Sequence, residues 1–477
     1  MTMTPTHPAG PQAPARHTAA WRIELTETVR LAVPMAATQL GQVTMMTTDL
    51  MLLGRLGQDV VAAVALGHIV MFLCFMLGMG LVSAVAPLAA QAFGAREPRM
   101  VRRALRVGLW AATLVGIPLT VAQMFGSEIL IALGQDQATA QLAGRYLHGL
   151  AWSMVPAWWF IALRSFMGAV NRPEPGLWIT LAAIPANVIL AAMLIYGLFG
   201  LPQLGVLGAG LATTLVNLGM CAAGVWVCYA RPPFRKYQVL GRFWRADWPL
   251  LRKVFVIGLP IAGMFALEYG LFAVAAIMMG WIGTTALAAH QIALQFASII
   301  FMVPFGIAQA ATVRVGQAAG RRDPAGTRLA GFVAIALGAA FMVAMVLFAV
   351  IGRNLIPLAF LGADTANAAE TVALTATLLL VGSTFFIADG TQSVAAGALR
   401  GLNDTRVPLL IAAVAFWAIG FTASYSLAFP AGLAAAGIWF GFSIGIATYA
   451  ILLVWRFHAL TQRGYLPDTP AAADEIS

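Results

Sequence analysis

Charge is what this sequence has least of. Asp, Glu, Lys and Arg make up only 10% of its 477 residues, against 61% hydrophobic residues, and the mean hydropathy is +0.85. A soluble domain carries roughly 25% charged residues, so a soluble fold is excluded. The three cysteines, Cys74, Cys221 and Cys228, lie inside apolar runs. They offer neither a disulfide framework nor a metal spacing and read as packing residues. No Walker lysine, zinc signature or nucleophile elbow is present, which disfavours ATP-driven transport by this chain and an enzyme alike. Apolar and polar residues do not alternate as they do in a membrane β-barrel. Residues 1–20 lack the apolar core of a signal peptide. They are rich in Pro, Thr and Ala, so a disordered tail is expected over 1–25, and the first membrane helix serves as the insertion signal.

What remains is long apolar helix. Windows of about 20 residues, enough to cross a bilayer, fall near 31–53, 60–88, 104–126, 146–169, 176–197 and 207–229. Six more fall near 254–280, 285–312, 328–351, 370–397, 406–428 and 433–455, after a polar, basic stretch. The expected fold is an all-α integral membrane protein of twelve transmembrane helices in two six-helix lobes. The N-lobe would span 26–229, a basic linker 230–253, the C-lobe 254–457 and a C-terminal tail 458–477.

The net charge of +10 raises the possibility of a nucleic-acid partner. Its distribution argues otherwise. Of the 28 Lys and Arg, only Arg55, Arg145 and Arg353 fall in loops of one parity. The rest crowd the loops and tails of the other parity, as in the clusters around Arg102 and Arg321. That bias is topological and predicts both termini and the linker in the cytoplasm. Arg164, slightly inside the fourth helix, is expected to snorkel outward.

The two halves repeat without gaps at an offset of 226. Pro34 aligns with Pro260, Gly54 with Gly280, Gly57 with Gly283 and Gly80 with Gly306. The loop Gln91-Ala-Phe-Gly94-Ala-Arg96-Glu-Pro98 aligns with Gln317-Ala-Ala-Gly320-Arg-Arg322-Asp-Pro324. Six helices separate the copies, so both share one orientation. They should be related by an axis along the membrane normal, with a cavity between them. Pro34, Pro118, Pro156, Pro185, Pro260 and Pro304 would bend helices.

The 18 acidic residues sit in tails, loops or helix ends, with three exceptions: Asp49, Glu268 and Asp389 lie well inside apolar helices, with no basic residue beside them. An acid at that depth is by default functional. Ionised, it attracts a cationic substrate or a sodium ion; a proton or metal ion cancels that charge and releases the substrate. Glu268 aligns with Gln42, and Asp49 with Ala275, so the lobes differ at their centres. Around Asp49 run Gln39, Gln42, Thr47 and Thr48, with Asn187 as a candidate partner. Around the other pair lie Tyr269, Gln291, Gln295, Gln392 and Ser393. Such amides serve as ligands or as interhelical hydrogen-bond donors. His68, His148 and His290 share no metal spacing, and Trp158-Trp159-Phe160 reads as interfacial or core packing.

These residues resemble a known family. Pro34 through Asp49 to Gly54-Arg-Leu-Gly57 resembles the first helix of multidrug and toxic compound extrusion (MATE) transporters. Gly258-Leu-Pro260, Glu268 and Ala288-Ala-His290-Gln291 are similar to the seventh and eighth helices of the NorM-like branch. Asp389 followed by Val394-Ala-Ala-Gly-Ala-Leu-Arg400-Gly401 is similar to its tenth. The resemblance covers residues 25–457. It implies a V-shaped bundle in a bacterial inner membrane, exporting cationic amphipathic or aromatic drugs in exchange for sodium or protons. It further implies that Glu268 and Asp389 bind the monovalent coupling cation and that Asp49 is the N-lobe coupling acid. No cofactor beyond that ion and no obligatory protein partner besides the lipid bilayer are expected. One departure stands out: Ala191 lies one turn after Asn187, where family members often carry a second polar residue. A flippase for lipid-linked saccharides on a related bundle is the alternative. It would call for Arg or Lys in the cavity to meet phosphates, and none is expected there. A channel is disfavoured by the twofold repeat with unlike centres.

Overall fold

The computed structural model describes residues 13–200, 202–239, 241, 243–245, 247–361 and 368–467. Six helical runs form the N-terminal half. They are α1 (Ala13–Gly54), α2 (Gln58–Val82, resuming at Val85–Gly94), α3 (Pro98–Met124), α4 (Gln137–Ala151, resuming at Met154–Ala169), α5 (Glu174–Tyr196) and α6 (Gly205–Ala230). Six more form the C-terminal half: α7 (Trp248–Ile282), α8 (Thr284–Gly320), α9 (Pro324–Gly352), α10 (Ala368–Gly401), α11 and α12 (Ala434–Gln462). Helix α11 is assembled from Arg406–Ala412, a π-helical stretch Ala413–Phe421 and Thr422–Ala428. Among the described residues ten of these runs are long and apolar enough to cross a membrane on composition alone. The other two are α1, diluted by Gln, Thr and Asp, and α4, interrupted at Trp152–Ser153.

Helix starts and stops follow local chemistry. Pro98 and Pro324 open α3 and α9, where a missing N–H costs nothing. Asp323 caps α9 by accepting from Gly326 N at 2.8 Å, and Asp247 caps α7 through Leu250 N at 3.4 Å. Pro34, Pro118, Pro185, Pro260 and Pro304 lie within helices. Pro156 differs: it sits in the first turn after the break in α4. The expected tail over 1–25 needs correction, because α1 begins at Ala13. Its first turns are Ala-rich with Pro14 near the start, a composition that favours helix. Residues 1–12 lie outside the described residues. At the other end α12 continues to Gln462, past 457, and 468–477 lie outside.

The repeat shapes the contact between lobes. Helix α1 packs on α8, and α2 packs on both α7 and α8. Gly80 touches the backbone of Ala262, and its repeat mate Gly306 touches that of Ala36; a Cβ at either glycine would collide with backbone. Further toward the Arg-rich face, Gly94 meets Gln317 and Gly320 meets Gln91 in the same exchanged fashion. Gln91 Nε2 donates to Gly401 O at 2.8 Å, and Asn403 Nδ2 donates to Gln91 Oε1 at 3.0 Å. Gln317 Nε2 donates to Ala169 O and to Asn171 Oδ1, each at 2.9 Å. A bidentate ion pair from Arg314 to Glu24, at 2.8 and 2.6 Å, closes the same face. Away from it, α1, α2 and α7 carry exposed apolar side chains such as Met46, Leu50, Leu73 and Ile277, as helices facing lipid do. The polar and glycine contacts that join the lobes therefore gather at the basic face.

The linker is docked on the N-lobe. Phe234 is buried against Phe166, and Tyr237 meets the same ring edge-on at 5.4 Å. Phe243 stacks on Trp110, whose Nε1 donates to Phe243 O at 2.9 Å.

Candidate functional site

The two lobes hold their acids differently. Asp49 on α1 is half-buried. Asn187 Nδ2 on α5 donates to Asp49 Oδ1, and Thr213 Oγ1 on α6 donates to Asp49 Oδ2 at 3.2 Å. Asn187 is fully buried, and its own Oδ1 has no partner. Three helices converge here because Gly41 lets α1 close on Thr180 of α5, while Ala191 and Ala212 are small and buried where α5 packs on α6.

Asn187 was legible in the sequence; Thr213 was not. Its hydroxyl also bonds back to Ala209 O at 3.1 Å, the ordinary habit of Thr in an apolar helix. Nothing in its spacing marks it. Where Ala191 offers no polar group, Thr213 of α6 brings a hydroxyl to Asp49. The other polar residues of α1 are engaged elsewhere. Thr47 and Thr48 bond to their own backbone. Gln42 is half-buried and makes no side-chain hydrogen bond among the described residues. Gln39 accepts from Arg164 Nη1 at 3.0 Å. That contact corrects the expectation for Arg164, which is 8% exposed and does not snorkel. Gly176 of α5 leaves room for its stem.

In the C-lobe one amide bridges two carboxylates. Gln392, one turn beyond Asp389 on α10, donates from Nε2 to Glu268 Oε1 at 2.9 Å and to Asp389 Oδ1 at 3.1 Å. Asp389 and Gln392 are 6% and 3% exposed, while Glu268 on α7 is half-buried. The pair is thus more deeply buried on its α10 side than on its α7 side. Tyr269, next to Glu268, crosses to the N-lobe and meets Phe72 at 4.9 Å between ring centroids. Gln291 and Gln295 are exposed, one turn apart on α8, and make no side-chain hydrogen bond to the acids. His290 is buried, its Nδ1 accepting from Trp439 Nε1 at 3.2 Å, and His148 Nδ1 lies 2.6 Å from Gly144 O. Trp158 and Phe160 are core residues, and Trp159 donates to Thr113.

The expectation that no basic residue accompanies the acids also needs correction. Arg400, further along α10, lies over the Phe265 ring at 5.1 Å, one turn before Glu268 on α7. Arg400 stands in the last turn of α10, and its side chain reaches across to α7. Among the described residues no three His, Cys, Asp or Glu gather as for a transition metal. Two carboxylates with a side-chain amide suit a monovalent cation or a proton. A cavity of about 1020 Å³ between α5 and α6, lined by Trp178, Leu215 and Trp226, holds none of the three membrane acids.

Two pseudo-equivalent helical lobes, joined by repeat-related contacts and carrying carboxylates at their centres, define a secondary transporter. The MatE family model matches residues 34–193 and 260–426, one match in each lobe, starting at the repeat-related prolines. The chain belongs to this family. It is 60% identical to a "Probable multidrug resistance protein NorM" of Rhodopseudomonas palustris, over 95% of each chain. It is 39% identical to the "Multidrug resistance protein NorM" of Burkholderia vietnamiensis, over 95% of this chain and 96% of that one. The crystal structure of the eukaryotic MATE transporter AtDTX14 superposes with a TM-score of 0.82 at 21% identity, covering 93% of this chain and 99% of that one.

Proposed function

We propose that this protein is an antiporter of the inner membrane that exports cationic amphipathic drugs in exchange for sodium or protons. The observation that carries this reading is the carboxylate pair Glu268–Asp389, bridged by Gln392 within the C-lobe. The relatives named as multidrug resistance proteins support the substrate class. A cation or proton reaching the pair competes with the Gln392 NH2 group. A metal cation would draw the amide's carbonyl oxygen inward instead, since only that end of the side chain accepts. Charge at the pair falls, and a cationic drug held in the cleft loses its attraction. Rocking of one lobe against the other exposes the cleft to each side of the membrane in turn. Proteoliposomes loaded with ethidium are the test. An inward sodium or proton gradient should drive its export, and equal export without either gradient would rule out antiport.

This reading places both termini and the linker in the cytoplasm. Lys236, exposed on the docked linker, is a suitable reporter, whereas its neighbour Tyr237 is packed against Phe166. A Lys236→Cys variant should resist an impermeant thiol reagent in intact cells and react in inverted vesicles. The reverse pattern would invert the topology.

A further inference from the structure

On the basic face, a pocket of about 440 Å³ is lined by Arg102, Arg103, Arg106, Arg245, Asp247, Trp248 and Pro249. It has no part in the acid sites. The first three arginines belong to α3 of the N-lobe; the rest belong to the linker and the start of α7. Four guanidinium groups face one carboxylate. Asp247 is taken by Arg103 Nε at 2.7 Å, by Arg106 Nη2 at 3.8 Å and by Leu250 N. The guanidinium of Arg106, 6% exposed, is repelled by those of Arg103, Arg102 and Arg245. Arg102 Nε is buried without a partner, and Arg245 is exposed at the rim. Arginines gathered at loop ends are ordinary topology; a concave, positively charged cavity is more than topology requires. Its rim carries Trp248, 67% exposed, with Trp244, 80% exposed, close by in the linker. Exposed indoles at a helix end favour the headgroup layer of a bilayer.

We propose that this pocket binds the phosphate of an anionic phospholipid from the leaflet at the basic face, with Arg102 and Arg245 as principal ligands. Guanidinium forks match phosphate oxygens, and basic pockets between membrane helices on this face suit anionic headgroups. Because the pocket spans α3 and α7, a bound headgroup ties the two lobes together where they already touch.

The test uses the purified full chain in detergent, titrated separately with phosphatidylglycerol, phosphatidylcholine and inorganic phosphate. Bound lipid is counted by native mass spectrometry, and the melting temperature is followed in parallel. Phosphatidylglycerol should bind and raise the melting temperature, as any ligand of the folded state does; the other two should do neither. An Arg102→Ala/Arg245→Ala variant, which leaves the Arg103–Asp247 pair intact, should bind about thirtyfold more weakly, at roughly fivefold per guanidinium. An Arg102→Lys/Arg245→Lys variant should recover part of that loss, which separates charge from folding. Unchanged phosphatidylglycerol binding by the alanine variant overturns the proposal, as does phosphatidylcholine binding equally well. An equal response to inorganic phosphate makes this a soluble-anion site and overturns the lipid assignment.

Discussion

Glu268→Gln and Asp389→Asn should each bring ethidium efflux down to the background of cells lacking the transporter, at unchanged expression. Each variant removes one charge while keeping side-chain volume, and Gln392 remains to bond with what is left. The insertion cost falls if anything, since an amide is easier to bury than a carboxylate. The loss is therefore functional. A monovalent cation about 4 Å from a carboxylate gains about 4 kcal/mol at an effective dielectric of about 20, so removing one acid weakens cation binding on the order of hundredfold or more. Efflux at the wild-type rate from either variant would make that acid structural.

The second large effect separates the lobes. Asp49→Asn should abolish drug transport and leave sodium binding by the purified protein within about twofold, a difference of ~0.4 kcal/mol. Asp49 shares no hydrogen-bond partner with the C-lobe pair; its contacts are Asn187 and Thr213. Residues without common partners act nearly independently. In this assignment the C-lobe pair takes the coupling cation and Asp49 takes a proton or the substrate. Thr213→Val should give a milder defect, because a hydrogen bond to a charged group is worth about 1.5–3 kcal/mol. Isothermal calorimetry with sodium settles the matter. Sodium binding lost in Asp49→Asn but kept in Asp389→Asn would put the cation in the N-lobe.

The helices were legible because hydrocarbon demands unbroken apolar runs, and the repeat was legible because its closest parts need no gaps. Contacts between helices were another matter. Arg164 and Arg400 stand near helix ends in the sequence and in the fold alike, yet their side chains lie against neighbouring helices, on Gln39 and Phe265. Their depth depends on where each helix sits relative to its neighbours, which hydropathy does not encode. Thr213 was hidden for a chemical reason: a Thr that bonds its own helix looks like any other. Gln91 and Gln317 were visible as a repeated loop motif, but their amide bonds to the opposite lobe could not be read from one strand of text. The acids needed no such context, since a carboxylate among apolar residues announces itself.

The exchanged contacts at the basic face have the form of an isologous dimer interface inside one polypeptide. Gly80 meets Ala262 as Gly306 meets Ala36, and Gln91 crosses one way as Gln317 crosses the other. In such an interface each copy carries both halves of the match, so it closes against its own duplicate without any further surface. Covalent linkage then frees the two copies to differ wherever they do not touch. That freedom is used at the lobe centres, where Asp49 faces no acid at position 275 and Glu268 none at position 42. A true homodimer would have to place the same acids on both sides of its axis; the fused chain escapes that constraint and gives each half its own ion chemistry.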